Sequence, residues 1–99
     1  MNNKVYSISE IKDIIQPIAH EYGVDAMYLF GSYPKGIADS ESDIDFRIDK
    51  GDVRGIQFAG LYSDLEEILG KPVDLVTTAS LDESFRQSIA NEEILIYAK

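Results

Sequence analysis

The chain has 99 residues, 18 of them acidic and 9 basic, and a net charge of −9. That length suits a single domain, residues 1–99, with one modest core, and the absence of cysteine excludes a disulfide framework or a thiolate metal site. The negative field repels phosphate backbones, which disfavours nonspecific nucleic-acid binding and gives the expectation of no direct nucleic-acid partner, while cations and basic partners are favoured.

The N-terminus, "MNNKVYSISEIKD", lacks the apolar run of a signal peptide. Nothing approaches the ~18 apolar residues of a membrane span. Together with the missing cysteines, this gives the expectation of a soluble cytoplasmic protein with no membrane partner.

Helical spacing of Ile8, Ile11, Ile15, Ile18 and Tyr22 predicts a first helix from about Ile8 to Tyr22. Ser7 and Glu10 form a capping box at its start, and Gly23 stops it. Pro17 lacks a backbone donor and is expected to kink or split this helix near Gln16. The lone histidine, His20, lies in the helix and is read as structural or solvent-exposed.

"AMYLF" (Ala26–Phe30) then reads as a buried strand. "SYPKGIADSES" is rich in turn residues and reads as a loop with one helical turn. "DIDFRID" (Asp43–Asp49) alternates, placing Asp43, Asp45, Arg47 and Asp49 on one face and Ile44, Phe46 and Ile48 on the other. A helix is predicted from Ile56 to Leu69, closed by Gly70. "PVDLVT" (Pro72–Thr77) is the third strand. Ser80 and Glu83 suggest a capping box for a third helix ending near Ala90, and "ILIY" (Ile94–Tyr97) a last strand. The order α-β-β-α-β-α-β describes an α+β fold, a small mixed sheet covered by helices.

Asp43 and Asp45 project together, about 6.5–7 Å apart along the strand. At an effective dielectric near 20 such charges repel by roughly 2 kcal/mol. Arg47 offsets part of this, Asp49 adds to it, and a divalent cation reverses its sign. Oxygen ligands without His or Cys nearby point to Mg²⁺ or Mn²⁺. A third carboxylate completes a two-metal site. Asp74, interrupting the apolar third strand, is the candidate if that strand neighbours the second. Gly31 and Ser32, where the first strand leaves the sheet, are candidates for holding phosphates at a helix N-terminus, with Lys35 available for charge.

The stretch "LFGSYPKGIADSESDID" carries Gly31-Ser32, ten intervening residues, then Asp43-Ile44-Asp45. With Asp74 in "VDLV", it resembles the nucleotidyltransferases of the DNA polymerase β superfamily, and its smallest members, the minimal nucleotidyltransferases, are about this size. The loop after Gly-Ser departs from the family's commoner arginine-bearing form. Here it reads Tyr33-Pro34-Lys35-Gly36, which keeps a charge but loses the bidentate fork.

The resemblance implies the polymerase-β-type fold and a metal-dependent nucleotidyl transfer. Asp43 and Asp45 bind two ions, Asp74 mainly the catalytic one, and Gly31 and Ser32 the triphosphate of ATP. It implies Mg²⁺ as the cofactor, with Mn²⁺ as a substitute. Larger relatives carry an acceptor domain for which 99 residues leave no room. Minimal members are commonly paired with a small helical toxin of the HEPN family, a ribonuclease. They act as antitoxin by transferring AMP from ATP to a toxin tyrosine, which implies a hetero-oligomer. Two alternatives stay open at this point: transfer to a small molecule or another acceptor, and a non-catalytic antitoxin that covers its toxin.

Overall fold

In the computed structural model, which describes residues 3–99, the elements run α1 (Ile8–Tyr22), β1 (Ala26–Phe30), β2 (Ile44–Asp49), α2 (Gly55–Leu69), β3 (Val73–Thr77), α3 (Glu83–Ala90) and β4 (Ile94–Ala98). A 3₁₀ turn (Thr78–Ser80) links β3 to α3. The strands form one mixed sheet in the order β3-β2-β1-β4. β1 pairs antiparallel with β2 and β4, whereas β2 and β3 run parallel. The parallel pair is joined through α2, because parallel strands require a long crossover.

The core lies between one sheet face and α1 and α2. Met27 and Leu29 of β1 and Ile44, Phe46 and Ile48 of β2 pack there with Ile11 and Ile15 of α1 and Leu61, Leu65 and Leu69 of α2. These helical positions recur every three or four residues, so each helix buries one stripe. The opposite face carries Asp45, Arg47 and Asp49. There α3 contributes Phe85, which meets Phe30 edge-on at 6.0 Å between ring centres.

The start and stop signals of α1 form as expected. Ser7 accepts from the Glu10 backbone N–H, Glu10 accepts from the Ser7 backbone N–H, and Gly23 closes the helix with φ +76°. Gly70 closes α2 in the same left-handed conformation.

Four expectations change. Pro17 does not split α1, which continues through it from Ile8 to Tyr22. Pro17 and Asp13 both lie on the exposed side, so the Asp13 carbonyl that loses its helical partner is not on the stripe buried against the core. The cap of α3 is Asp82, accepting from the Phe85 N–H at 2.7 Å, while Ser80 ends the 3₁₀ turn instead. The segment 31–36 after β1 is a run of turns, so Gly31 and Ser32 do not open a helix. Asp43 stands one residue before β2 rather than within it.

Candidate active site

Four pieces of chain meet at one end of the carboxylate face: the end of β1, the loop 31–43, the start of β2 and the start of β3. Asp45 is the register partner of Phe30 across β1 and of Asp74 across β3. Neighbouring strands lie about 4.8 Å apart, and in-register partners face the same way. The sheet therefore brings Asp45 and Asp74 side by side from positions 29 residues apart in sequence. Asp43 precedes them at the strand's mouth and is exposed, as is Asp74.

Burial, then Asp74, then Asp43 push the Asp45 carboxyl up to about 6. The field of the group extends further. On α2, the Tyr62 phenol is raised first by Glu66, and also by Asp74 and Asp43.

Gly31 has φ +81°, and a Cβ built on it would overlap Asp45 Oδ2. Its missing side chain thus makes room for the carboxylate itself. The sequence gives Gly31 only as a candidate for phosphate approach; the structure shows that Asp45 needs the space a side chain there would take. Ser32 is half-buried beside it, and its carbonyl accepts from the Ile37 N–H at 3.2 Å. Tyr33 turns inward and is buried in the core. Lys35 points outward to Glu92, 3.4 Å away.

The donor chemistry fits a hard divalent cation: three mutually repelling carboxylates, one of them half-buried, with no sulfur or imidazole among them. As they stand, no three His, Cys, Asp or Glu side chains among the described residues are close enough together to grip an ion. Holding one therefore requires the three carboxylates to turn toward each other. His20 takes no part, lying exposed on α1 with Tyr97 Oη 3.4 Å from its Nδ1.

Arg47 does not offset the charge of Asp45, as the alternation suggests it should. Its guanidinium is buried, donates to both Glu93 carboxylate oxygens at 3.0 and 2.7 Å and to Thr78 Oγ1 at 2.6 Å, and stacks on the Tyr28 ring at 3.9 Å. Thr78 Oγ1 donates onward to Asp49 at 2.5 Å. Arg47 thus ties β2 to the turn after β3 and to the residue before β4. Nothing in the alternation of β2 reveals Glu93, which lies 46 residues away.

Comparison with known proteins fits this geometry. The family model "Polymerase beta, Nucleotidyltransferase" matches residues 12–99. The "Protein adenylyltransferase MntA" of Thermococcus cleftensis is 30% identical over 95 residues, covering 91% of this chain and 96% of the relative. Two solved structures share the fold. One is a toxin–antitoxin with AMP-PNP, with a TM-score of 0.75 and 24% identity over 89% of this chain and 73% of the other. The second is a tri-AMPylated Shewanella oneidensis HEPN toxin in complex with MNT antitoxin, with a TM-score of 0.67 and 22% identity over 89% of this chain and 70% of the other. The match over residues 12–99 and the 30% identity to the Thermococcus relative place the chain in the polymerase β nucleotidyltransferase family.

Proposed function

We propose that this protein is a cytoplasmic antitoxin that transfers AMP from ATP to a tyrosine hydroxyl of a small, helical HEPN-type toxin. The observation that carries the transfer chemistry is the Asp45–Asp74 register, with Asp43 at the strand's mouth and Gly31 pressed against Asp45. The acceptor is supported by the Thermococcus relative's name and by the toxin–antitoxin assemblies that share the fold.

In this reading Asp43, Asp45 and Asp74 hold divalent ions, Mg²⁺ first and Mn²⁺ as a substitute. Bound there, such ions lower the pKa of an acceptor hydroxyl and stabilise the charge on the leaving pyrophosphate. Gly31 and Ser32, at the turn beside Asp45, hold the triphosphate and orient its α-phosphorus toward the acceptor. The tyrosine oxygen attacks that phosphorus, the bond to the β-phosphate oxygen breaks, and pyrophosphate leaves. Asp74 lies exposed on the edge strand, where an incoming protein surface can reach it, and takes the tyrosine proton. The net charge of −9 favours a basic partner.

The test mixes the protein with a small helical HEPN-type toxin, ATP and Mg²⁺, and weighs that partner intact. The expected result is an added adenylyl mass on a tyrosine, lost with EDTA and reduced at least about 100-fold by Asp45→Asn. An unmodified partner sinks the reading. Toxin neutralisation in cells by an Asp43→Asn, Asp45→Asn double variant favours covering without catalysis.

A further inference from the structure

Lys71 is only 1% exposed. Lysine is almost never so deeply buried, because removing the ammonium from water is costly. Among the described residues it and Arg47 are the buried charged side chains, and Arg47 is accounted for by Glu93. Lys71 Nζ donates to the Ser40 carbonyl at 3.1 Å. One residue further on, the Pro72 carbonyl accepts from the Ile44 N–H at 3.1 Å.

These two bonds fall on either side of Asp43. The segment leading to it is already folded on itself. The Asp39 N–H donates to Ser42 Oγ at 2.9 Å, Asp39 Oδ1 accepts from the Glu41 N–H at 2.9 Å, and the Ser42 N–H donates to the Asp39 carbonyl at 3.1 Å. Lys71 grips the middle of that turn, and the backbone of Pro72 grips the first residue of β2. Residues 71–72 lead directly into Val73 and Asp74. The chain that delivers Asp43 is therefore fastened, at two points, to the chain that delivers Asp74.

We infer that Lys71 is a positioning residue that sets the place of Asp43 relative to Asp45 and Asp74. The inference rests on the reading of these three aspartates as ion ligands. Asp43 is exposed and lies outside the strand ladder, so the Ser40 grip supplies a restraint that pairing within the sheet does not. An apolar side chain of similar length would fill the same space and leave the turn at Ser40 unfastened.

The experiment titrates Mn²⁺ into the purified protein, without ATP or partner, and reads bound ion by electron paramagnetic resonance. Wild type, Asp45→Asn, Lys71→Met and Lys71→Gln are compared, with thermal melts and amide exchange of residues 39–43 measured on each. In Lys71→Met the expected result is a folded protein whose Mn²⁺ affinity falls about tenfold or more and whose amides at 39–43 exchange faster. Lys71→Gln keeps a donor for the Ser40 carbonyl and recovers part of both. A folded Lys71→Met with wild-type affinity overturns the role of Lys71 alone. If Lys71→Met does not fold, a folded Lys71→Gln with lowered affinity and faster exchange at 39–43 supports the grip, whereas one with wild-type affinity and wild-type exchange overturns it. If wild type binds no Mn²⁺ that Asp45→Asn removes, the reading of the aspartates falls, and the inference with it.

Discussion

Asp45 and Asp74 stand in register on adjacent parallel strands, so two carboxylates share one face about a strand's width apart. Burial first, then this pairing and then Asp43, lift the Asp45 carboxyl to about 6 from an ordinary 3.8. Between those values the native state keeps a proton that the unfolded chain has released. Stability therefore falls as pH rises through this window and stays at its lowered level above it. At ~1.4 kcal/mol per unit the ceiling is about 3 kcal/mol. Solvent reaches the group, and screening reduces this to about 1 kcal/mol. Asp45→Asn is expected to gain that amount above pH 6.5 and nothing near pH 3.5, as read by urea melts at both values.

A cation at these carboxylates works in the opposite sense to their repulsion. Under the proposed reading Mg²⁺ or Mn²⁺ stabilises the wild-type fold, by about 2.7 kcal/mol at a hundredfold excess over its dissociation constant. Asp45→Asn should lose most of that increment. Melting temperatures with and without metal, in EDTA-treated protein, provide the check.

Gly31 and Gly36 make an internal comparison. Both adopt positive φ, +81° and +75°, but a Cβ at Gly36 meets nothing within 4 Å, whereas one at Gly31 overlaps Asp45. Alanine at either position costs about 1–2 kcal/mol for the left-handed backbone alone. Gly31→Ala should cost visibly more in a denaturant titration, and should weaken metal binding by displacing Asp45. Gly36→Ala should leave metal binding unchanged.

Arg47 and Glu93 form a largely buried pair with bidentate geometry. Removing one partner strands the other charge, so Glu93→Ala is expected to destabilise by about 3 kcal/mol. Arg47→Lys should lose much of the same stability, because an ammonium cannot reproduce the fork or the stacking on Tyr28. Chemical denaturation of both variants tests this.

Pro17 sits on the exposed side of an unbroken helix. Pro17→Ala restores a donor for the Asp13 carbonyl and removes a penalty of ~3 kcal/mol in helix interiors. Part of that gain is cancelled by the freer unfolded chain. A net gain of about 1–2 kcal/mol in urea stability, with Mn²⁺ affinity untouched, is the expected outcome.

Much of this protein is written locally. The caps Ser7, Gly23 and Gly70, the helical stripes of α1 and α2, and the alternation of β2 all come from interactions between residues a few positions apart, so the order of elements is legible without a structure. The spacing from Gly31 to Asp43 and Asp45 is local in the same sense. The cap of α3 falls two residues beyond Ser80, since Ser80 and Asp82 are both good acceptors and the 3₁₀ turn decides between them.

What the tertiary structure decided is non-local. The alternation of β2 does not reveal which strand lies beside it, and the parallel register that sets Asp74 against Asp45 depends on how α2 carries the chain back across the sheet. Arg47 reads as a surface counter-charge in its strand, yet it is buried against Glu93, which arrives with β4. Lys71 stands in "LGKPVD", where no local pattern singles it out, and becomes a buried grip on Ser40 once β3 docks. Period and capping are properties of a short segment. Register, burial and the partner of a charge belong to segments that meet only after the chain has folded.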